Sequence, residues 1–242
     1  MAAPCVSWVT MPAKKFSLFW WVIWVSLGTA LGFILPSIAT LVSVADGRDA
    51  TGQFVLAVIG GALQGAILGF AQAFALRRTV AALPMLGWIL VTTVGAILAW
   101  SFGMIPGSFL ALASGTPLGI AELIVFGLLA VLVLPTAQWF ILRGTKLGKI
   151  GRVWRWIPIT AVAWIAGIVW LLLASLLVQD STDLVHLIAL YTVAGLLMVL
   201  TVSFITGLGM RWMLGGAPVR KKSTSLRRSF PSRKTPVPSR TA

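Results

Sequence analysis

Six long apolar runs, separated by short polar segments, restrict this chain more than any other feature of its sequence. Crossing the hydrocarbon core of a bilayer takes about 20 apolar residues. Backbone groups in lipid must satisfy their hydrogen bonds within the run, so we expect helices. Only 10% of the residues are charged, against about 25% in a soluble domain. The predicted fold class is an all-α, polytopic membrane protein with transmembrane helices at about 16–35, 54–76, 85–105, 120–142, 156–178 and 184–213.

The first run continues to about Val44, which is too long for a secretory signal with an apolar core of about 7–15 residues. Ser43-Val44-Ala45 resembles a cleavage site, so cleavage remains an alternative. Pro36 lacks a backbone N–H and predicts a kink or the end of the first helix.

Charges separate onto two sides if the chain crosses the membrane six times, whereas an odd number of spans would mix them. The basic side holds Lys14, Lys15, Arg77, Arg78, Arg143, Lys146, Lys149, Arg152, Arg155 and the tail. The other side holds Asp46, Asp49, Asp180 and Asp183, with Glu122 at the entrance to the fourth span and Arg48 as the exception. The positive-inside rule then predicts both termini in the cytoplasm, and we expect a bacterial plasma membrane.

The ends of the chain differ from the spans in composition. Residues 1–15 are a short cytoplasmic leader, and residues 214–242 alternate basic residues with Ser, Thr and Pro. This composition predicts a disordered cytoplasmic tail that anionic lipid headgroups attract by about 1 kcal/mol per basic residue. Phe230 is its only aromatic residue, so stacking on nucleic acid is not expected. Residues 106–118 form an apolar outer loop rich in Gly, Ser and Pro, which is re-entrant or, as we favour, lies on the membrane surface.

The odd-numbered spans share a Trp followed seven residues later by a small residue and four residues after that by another. Small residues four apart allow a neighbouring backbone to approach closely, and Trp is enriched at the membrane interface. Thr92 and Thr160 each follow their Trp by four residues. The matched sets are Trp21, Gly28 and Gly32; Trp88, Gly95 and Ala99; and Trp156, Ala163 and Gly167.

The even-numbered spans share a Gly and a closing Arg, and two of the three also share a Gln. Gln72 matches Gln138, and Thr206 stands at that position in the sixth span. The arginines mark where each helix leaves the lipid, because a mid-membrane position costs about 3 kcal/mol or more. The ridge in the second span predicts the main helix contact. The matched glycines are Gly61, Gly127 and Gly195, the ridge of small residues in the second span is Gly61, Gly65, Gly69 and Ala73, and the arginines are Arg77, Arg143 and Arg211.

These matches predict three parallel helical-hairpin repeats of roughly 65–70 residues around an axis along the membrane normal. The segments Gln138-Trp139-Phe140-Ile141-Leu142-Arg143 and Gly87-Trp88-Ile89-Leu90 resemble uncharacterised bacterial multi-pass membrane proteins. Those proteins carry repeated Gly-x-x-x-Gly-x-x-Gln-Trp-x-x-Leu-Arg helix ends followed by Gly-Trp-Trp. The resemblance covers spans two to five. This chain departs from it at Ala73, which replaces the Trp, and at Pro135. The resemblance implies the fold and no activity.

Four polar residues within the spans are candidates for chemistry: Gln72, Gln138, Thr92 and Thr160. The two Gln side chains could face each other and bind a polar group of a ligand. We favour the alternative, a bond to a neighbouring helix worth about 0.6 kcal/mol, since no charged residue accompanies them in the spans.

Three other polar residues give weaker signals. Glu122 is a proton or cation ligand or, as we favour, complements a helix N-terminus. His186 could act as a base for Ser108 or Ser114, but no nucleophile elbow is present. One His and one Cys cannot form a Cys/His metal cluster. We therefore predict no cofactor and no enzyme.

The favoured function is a scaffold or accessory subunit of a membrane complex, with membrane-protein partners or a second copy of the chain. The alternative is a transporter or channel for a neutral or lipid-like substrate. Small-residue faces favour the former, and the intramembrane Gln and Thr residues favour the latter.

Overall fold

The computed structural model describes residues 16–77, 79–80, 83–108, 116–145, 147–148, 151–179 and 183–215. In this part of the chain, all six long helices are apolar and long enough to cross a membrane. The predicted all-α membrane fold is therefore confirmed, and the chain is an integral membrane protein. The helices are α1 (Leu18–Ala45), α2 (Ala50–Leu76), α3 (Met85–Ser108), α4 (Pro117–Gly144), α5 (Trp156–Leu177) and α6 (Leu184–Gly215), with a 3-10 turn at Val153–Arg155.

The six helices form a closed ring in chain order. Each helix packs against the next, and α6 returns to pack against α1. The contact between α4 and α5 is the least extensive of the six. The ring brings the three predicted hairpins around one centre, while the threefold repeat itself stays a prediction.

Of the two outcomes expected at Pro36, a kink or the end of the helix, the second is wrong: α1 continues through Pro36 to Ala45. Pro36 lies against Gly60 of α2, where an added Cβ would come 2.7 Å from the Pro36 Cα atom. The missing side chain at Gly60 lets the two backbones approach closely at Pro36. Residues 43–45 are accordingly the last turn of a helix.

A tight turn joins α1 to α2. Gly47 has a φ of +60°, a left-handed conformation that favours glycine. Asp49 then caps α2, because its side chain accepts a hydrogen bond from the Gly52 N–H at 2.9 Å.

Small residues produce the closest helix contacts. The α2 ridge faces α3: Gly61 lies against Trp100, and a Cβ added at Gly65 would come 2.5 Å from Ala96 Cβ. Gly69 lies against Thr92 of α3 in the same way.

In each odd-numbered helix, a predicted small residue lies against the following helix. Gly28 lies against Ala71 and Gly32 against Gln64, both in α2. Gly95 lies against Leu134, Gly167 lies against Val202, and Ala163 is fully buried. By contrast, Gly127 and Gly195 have no atom within 4 Å of an added Cβ.

We call the end of the bundle that carries Arg77, Arg143, Arg155 and Arg211 the basic end and the opposite end the acidic end. Three of these guanidinium groups lie over aromatic rings: Arg77 is 3.8 Å from the Phe74 centroid, and Arg143 is 4.5 Å from that of Phe140. Arg155 is 4.5 Å from the centroid of Trp212, and Arg211 is exposed. Such contacts are favourable for a cation, and they give the basic end a belt of Arg and aromatic side chains.

Three predictions lie outside the described residues. They concern the leader, most of the outer loop at 106–118 and nearly all of the basic tail. The disordered tail and its contact with anionic lipid therefore stay predictions.

Candidate functional site

Three indole rings meet at the centre of the helix ring, in its basic half. Trp21, Trp88 and Trp156 are 1%, 0% and 0% exposed. The Trp156 ring centroid lies 6.2 Å from that of Trp21 and 6.4 Å from that of Trp88. We expected these rings as interface anchors, and the structure corrects this. The neighbouring residues Trp20 and Trp154, each 57% exposed, are instead in a position to meet the interface.

Each of these indoles donates a hydrogen bond to the even-numbered helix that precedes its own in the ring. Trp88 Nε1 donates to Gln72 Oε1 at 3.2 Å, and Trp156 Nε1 donates to Gln138 Oε1 at 2.9 Å. Trp21 Nε1 donates to Thr206 Oγ1 at 3.2 Å and to the Ser203 carbonyl at 3.1 Å. Internal acceptors let all three rings be buried with their polar atom satisfied.

The two Gln side chains also bond directly to each other. Gln138 Nε2 donates to Gln72 Oε1 at 2.8 Å and to Thr92 Oγ1 at 3.1 Å, and Thr92 Oγ1 donates back to the Trp88 carbonyl at 2.8 Å. Because an indole N–H is only a donor, it fixes which end of the Gln138 amide is the oxygen. Gln138 therefore has no free donor for a ligand. We call these residues the Trp–Gln cluster: Trp21, Trp88, Trp156, Gln72, Gln138, Thr92 and Thr206.

Thr160 is a predicted site residue that does not join the hydrogen bonds of the Trp–Gln cluster. Its side chain is 2% exposed, and its Oγ1 atom is buried without a hydrogen-bond partner among the described residues. A buried unpaired polar group costs about 1–3 kcal/mol. Thr160 thus differs from its sequence match Thr92, which has both a donor and an acceptor.

A cavity of about 300 Å³ lies inside the ring on the acidic side of the Trp–Gln cluster. It begins about one helical turn from the cluster, since Leu68 and Leu134 line it and precede Gln72 and Gln138 by four residues. None of the described residues that line it is charged. Ala99, which we predicted to pack helices, is one of the residues that line this cavity. Every helix contributes to the wall, as Phe33, Leu68, Ala99, Val131, Trp164 and Met198 show.

One polar pair, Gln64 and Trp100, stands in this apolar wall. Trp100 Nε1 donates to Gln64 Oε1 at 2.6 Å. Gln64 is only 4% exposed, and its Nε2 makes no hydrogen bond to any described residue. Our sequence reasoning missed Gln64. The signal was a lone amide between Gly61 and Gly65, in the middle of an apolar span.

The wall is weakest between α4 and α5. Residues 117–133 of α4 include none that is buried, whereas Leu134, Pro135, Gln138 and Leu142 are buried further along. The hydrogen bond from Trp156 to Gln138 joins the two helices in the basic half. The rest of the bundle therefore covers little of the acidic half of α4, and the cavity is bordered by α4 and α5, the least closely packed pair of neighbouring helices.

The remaining polar candidates lie apart from the cavity. Thr116 caps α4 by accepting from the Gly119 N–H at 3.2 Å, and the first turn of α4 has no acidic residue. Glu122 therefore lies beyond the first turn, so its expected role at the helix N-terminus is corrected.

An exposed contact between Asp183 and His186 lies at the start of α6. His186 donates its backbone N–H to Asp183 Oδ1 at 2.9 Å, and its ring Nδ1 lies 2.7 Å from Asp183 Oδ2. The hydrogen bond from the His186 backbone N–H, and after it the one from the ring, hold the pKa of Asp183 below its usual value. Asp183 thus caps α6, and the pair has the geometry of a helix start.

The candidate site therefore has two halves, one filled by side chains and one that contains a cavity. The Trp–Gln cluster fills the centre of the basic half, and the acidic half keeps an uncharged cavity with one amide in its wall. Such a cavity can hold an apolar molecule and offer it one polar contact. Comparisons of this chain with models of protein families, with curated proteins and with solved structures found no match.

Proposed function

We propose that this membrane protein binds a neutral, lipid-like molecule inside its helix ring, as a transporter or carrier of such molecules would. The observation that carries the proposal is the uncharged cavity of about 300 Å³. Its volume lies at the lower end of the range of roughly 300–1,000 Å³ for ligand pockets. Cavities walled by apolar side chains bind apolar molecules more readily than water, which needs several polar partners.

The chemistry of the wall selects against charged substrates. An ion or a charged solute within a membrane needs a compensating charge or many polar groups. Among the described residues that line the cavity, the polar side-chain atoms are the amide of Gln64 and the indole N–H groups of Trp100 and Trp164, and none of these residues is charged. A neutral molecule with a large apolar part fits this environment best.

The Trp–Gln cluster gives the proposed route a direction. It fills the centre of the ring in the basic half, so a molecule in the cavity has no open path to the basic end. Access from the bilayer between α4 and α5 is favoured by the absence of buried residues at 117–133. In this proposal Gln72 and Gln138 hold the ring closed and do not contact the bound molecule.

A second candidate function, a scaffold or accessory subunit, is favoured by the surface of α4. Residues 117–133 include none that is buried, and a Cβ added at Gly127 would meet no atom within 4 Å. Bare backbone on a lipid-facing helix is a surface on which another membrane helix can pack closely.

The experiment that separates the two functions is extraction into native nanodiscs, followed by native mass spectrometry and lipid analysis. Recovery of the chain alone with a stoichiometric neutral lipid supports binding in the cavity. Recovery with stoichiometric protein partners and no retained small molecule contradicts it and supports the accessory subunit.

A further inference from the structure

Gln64 presents a donor to the cavity that nothing in the described chain uses. Its side chain is 96% buried, lines the cavity and makes one hydrogen bond, which its oxygen accepts from Trp100. The Gln64 Nε2 atom has no hydrogen-bond partner among the described residues and is not one of the fully buried atoms, so it is accessible from the cavity, and its two N–H groups need acceptors. Their partner must therefore come from the contents of the cavity.

Trp100 fixes the direction of this amide. An indole N–H can only donate, so the Gln64 atom that it meets at 2.6 Å must be the oxygen. The amide nitrogen then points away from Trp100, and a flip of the amide would set donor against donor. Gly61 holds the indole in place, because its missing side chain leaves the space that the Trp100 ring fills. Gln64 thus presents to the cavity a hydrogen-bond donor of fixed orientation, while its oxygen is already occupied by Trp100.

Water is a poor occupant for this position. A buried water is held by about three hydrogen bonds, and the wall provides one free amide nitrogen among apolar side chains such as Leu68, Leu134 and Ile168. A carboxylate is also disfavoured, because no Lys or Arg lines the cavity. The remaining match is a neutral oxygen acceptor joined to an apolar body.

We propose that Gln64, oriented by Trp100, donates a hydrogen bond to a neutral oxygen acceptor of the lipid-like ligand, such as an ester or ketone carbonyl. The apolar part of that ligand fills the cavity toward Leu134 and Ile168. A volume of about 300 Å³ suits one chain or a small ring system and not a whole two-chain lipid. This inference rests on the proposed function, since it identifies the polar group by which the cavity selects its ligand.

The test compares two probes of equal chain length, a fatty-acid methyl ester with an isotope-labelled carbonyl and the matching hydrocarbon. Both are bound to the full-length protein in nanodiscs, as wild type and as Gln64→Met, which conserves volume and removes the donor. One hydrogen bond corresponds to a preference for the ester of about two- to tenfold. We expect this preference, and a lowered carbonyl stretching frequency, in the wild type and neither in Gln64→Met.

A second variant, Trp100→Phe, keeps Gln64 but removes the indole N–H that orients its amide. We expect it to retain hydrocarbon binding and to weaken the ester preference, so it tests the proposal even if Gln64→Met does not fold. Equal binding of both probes to wild type, with an unshifted carbonyl, overturns the role of Gln64 while the cavity remains a binding site. Binding of neither probe overturns the proposed function as well.

Discussion

Gln138 donates a hydrogen bond to Gln72 Oε1 across 2.8 Å and thereby joins α4 to α2, two helices that are not neighbours in the ring. The bond crosses the centre of the bundle, where Trp88 and Trp156 add their own hydrogen bonds to the same two amides. An apolar core in lipid has no hydrophobic force to select one arrangement of helices. Directional hydrogen bonds at the centre supply that selection.

Replacing Gln138 with Leu is expected to destabilise the bundle by about 1–3 kcal/mol, because the buried Trp156 N–H loses its acceptor. The double variant Gln138→Leu with Trp156→Phe removes both partners and should recover part of this loss. Unfolding by sodium dodecyl sulfate in mixed micelles measures both variants. A Gln138→Leu variant as stable as wild type would show that the cluster does not hold the ring.

Thr206→Val tests the third indole contact. We expect a smaller loss than for Gln138→Leu, about 0.6 kcal/mol, which is the average for a hydrogen bond between membrane helices. Trp21 keeps the Ser203 carbonyl as a second acceptor at 3.1 Å, so its N–H is not left unpaired. The same unfolding assay measures this variant, and a loss equal to that of Gln138→Leu would contradict the ranking.

Thr92→Val and Thr160→Val form a matched pair with opposite expected signs. Thr92 accepts from Gln138 at 3.1 Å, so its loss leaves a donor unpaired and should cost about 1–3 kcal/mol. Thr160 has a buried hydroxyl without a partner among the described residues, so valine should stabilise the protein by about 1 kcal/mol. Free energies of unfolding from the same titration provide the readout. Destabilisation by both variants would mean that Thr160 has a partner.

Gly65→Leu adds a side chain at a tightly packed position, whereas Gly127→Leu adds the same side chain at a position with free space around it. A Cβ at Gly65 would come 2.5 Å from Ala96 Cβ and 2.9 Å from Thr93 Cα, which overpacks the α2–α3 contact by about 1–3 kcal/mol. A Cβ at Gly127 meets nothing within 4 Å, so that variant should fold as wild type. The yield of folded protein after gel filtration measures the difference. Loss of fold at Gly127 alone would instead indicate a partner on α4.

Much of the fold was predictable because membrane helices need long apolar runs, and five of the six predicted spans begin and end close to the observed helices. The first span was placed too short, since the effect of Pro36 depends on Gly60 of another helix, which supplies the space for it. A rule that considers only the sequence next to a proline cannot predict a contact with another helix.

The site was predictable only in part. The matched positions of Gln72, Gln138 and Thr206 indicated equivalent places in the even-numbered helices, and these three residues do accept from the indoles. The burial of Trp21 was missed, because a helix that is apolar on all sides does not show which face meets lipid. The cavity could not be foreseen, since it depends on the summed volumes of side chains from all six helices.

The most direct test of the account is ligand retention by Gly103→Phe compared with Gly127→Phe. Gly103 lines the cavity at its exposed edge, and Gly127 lies on the exposed surface of α4. Neither position has an atom within 4 Å of an added Cβ, so the two variants add the same ring at the mouth of the cavity and away from it. Native mass spectrometry from nanodiscs measures the retained neutral lipid in each. The account predicts that Gly103→Phe loses the lipid while Gly127→Phe retains it at the wild-type ratio. Equal retention by both folded variants would contradict binding in the cavity.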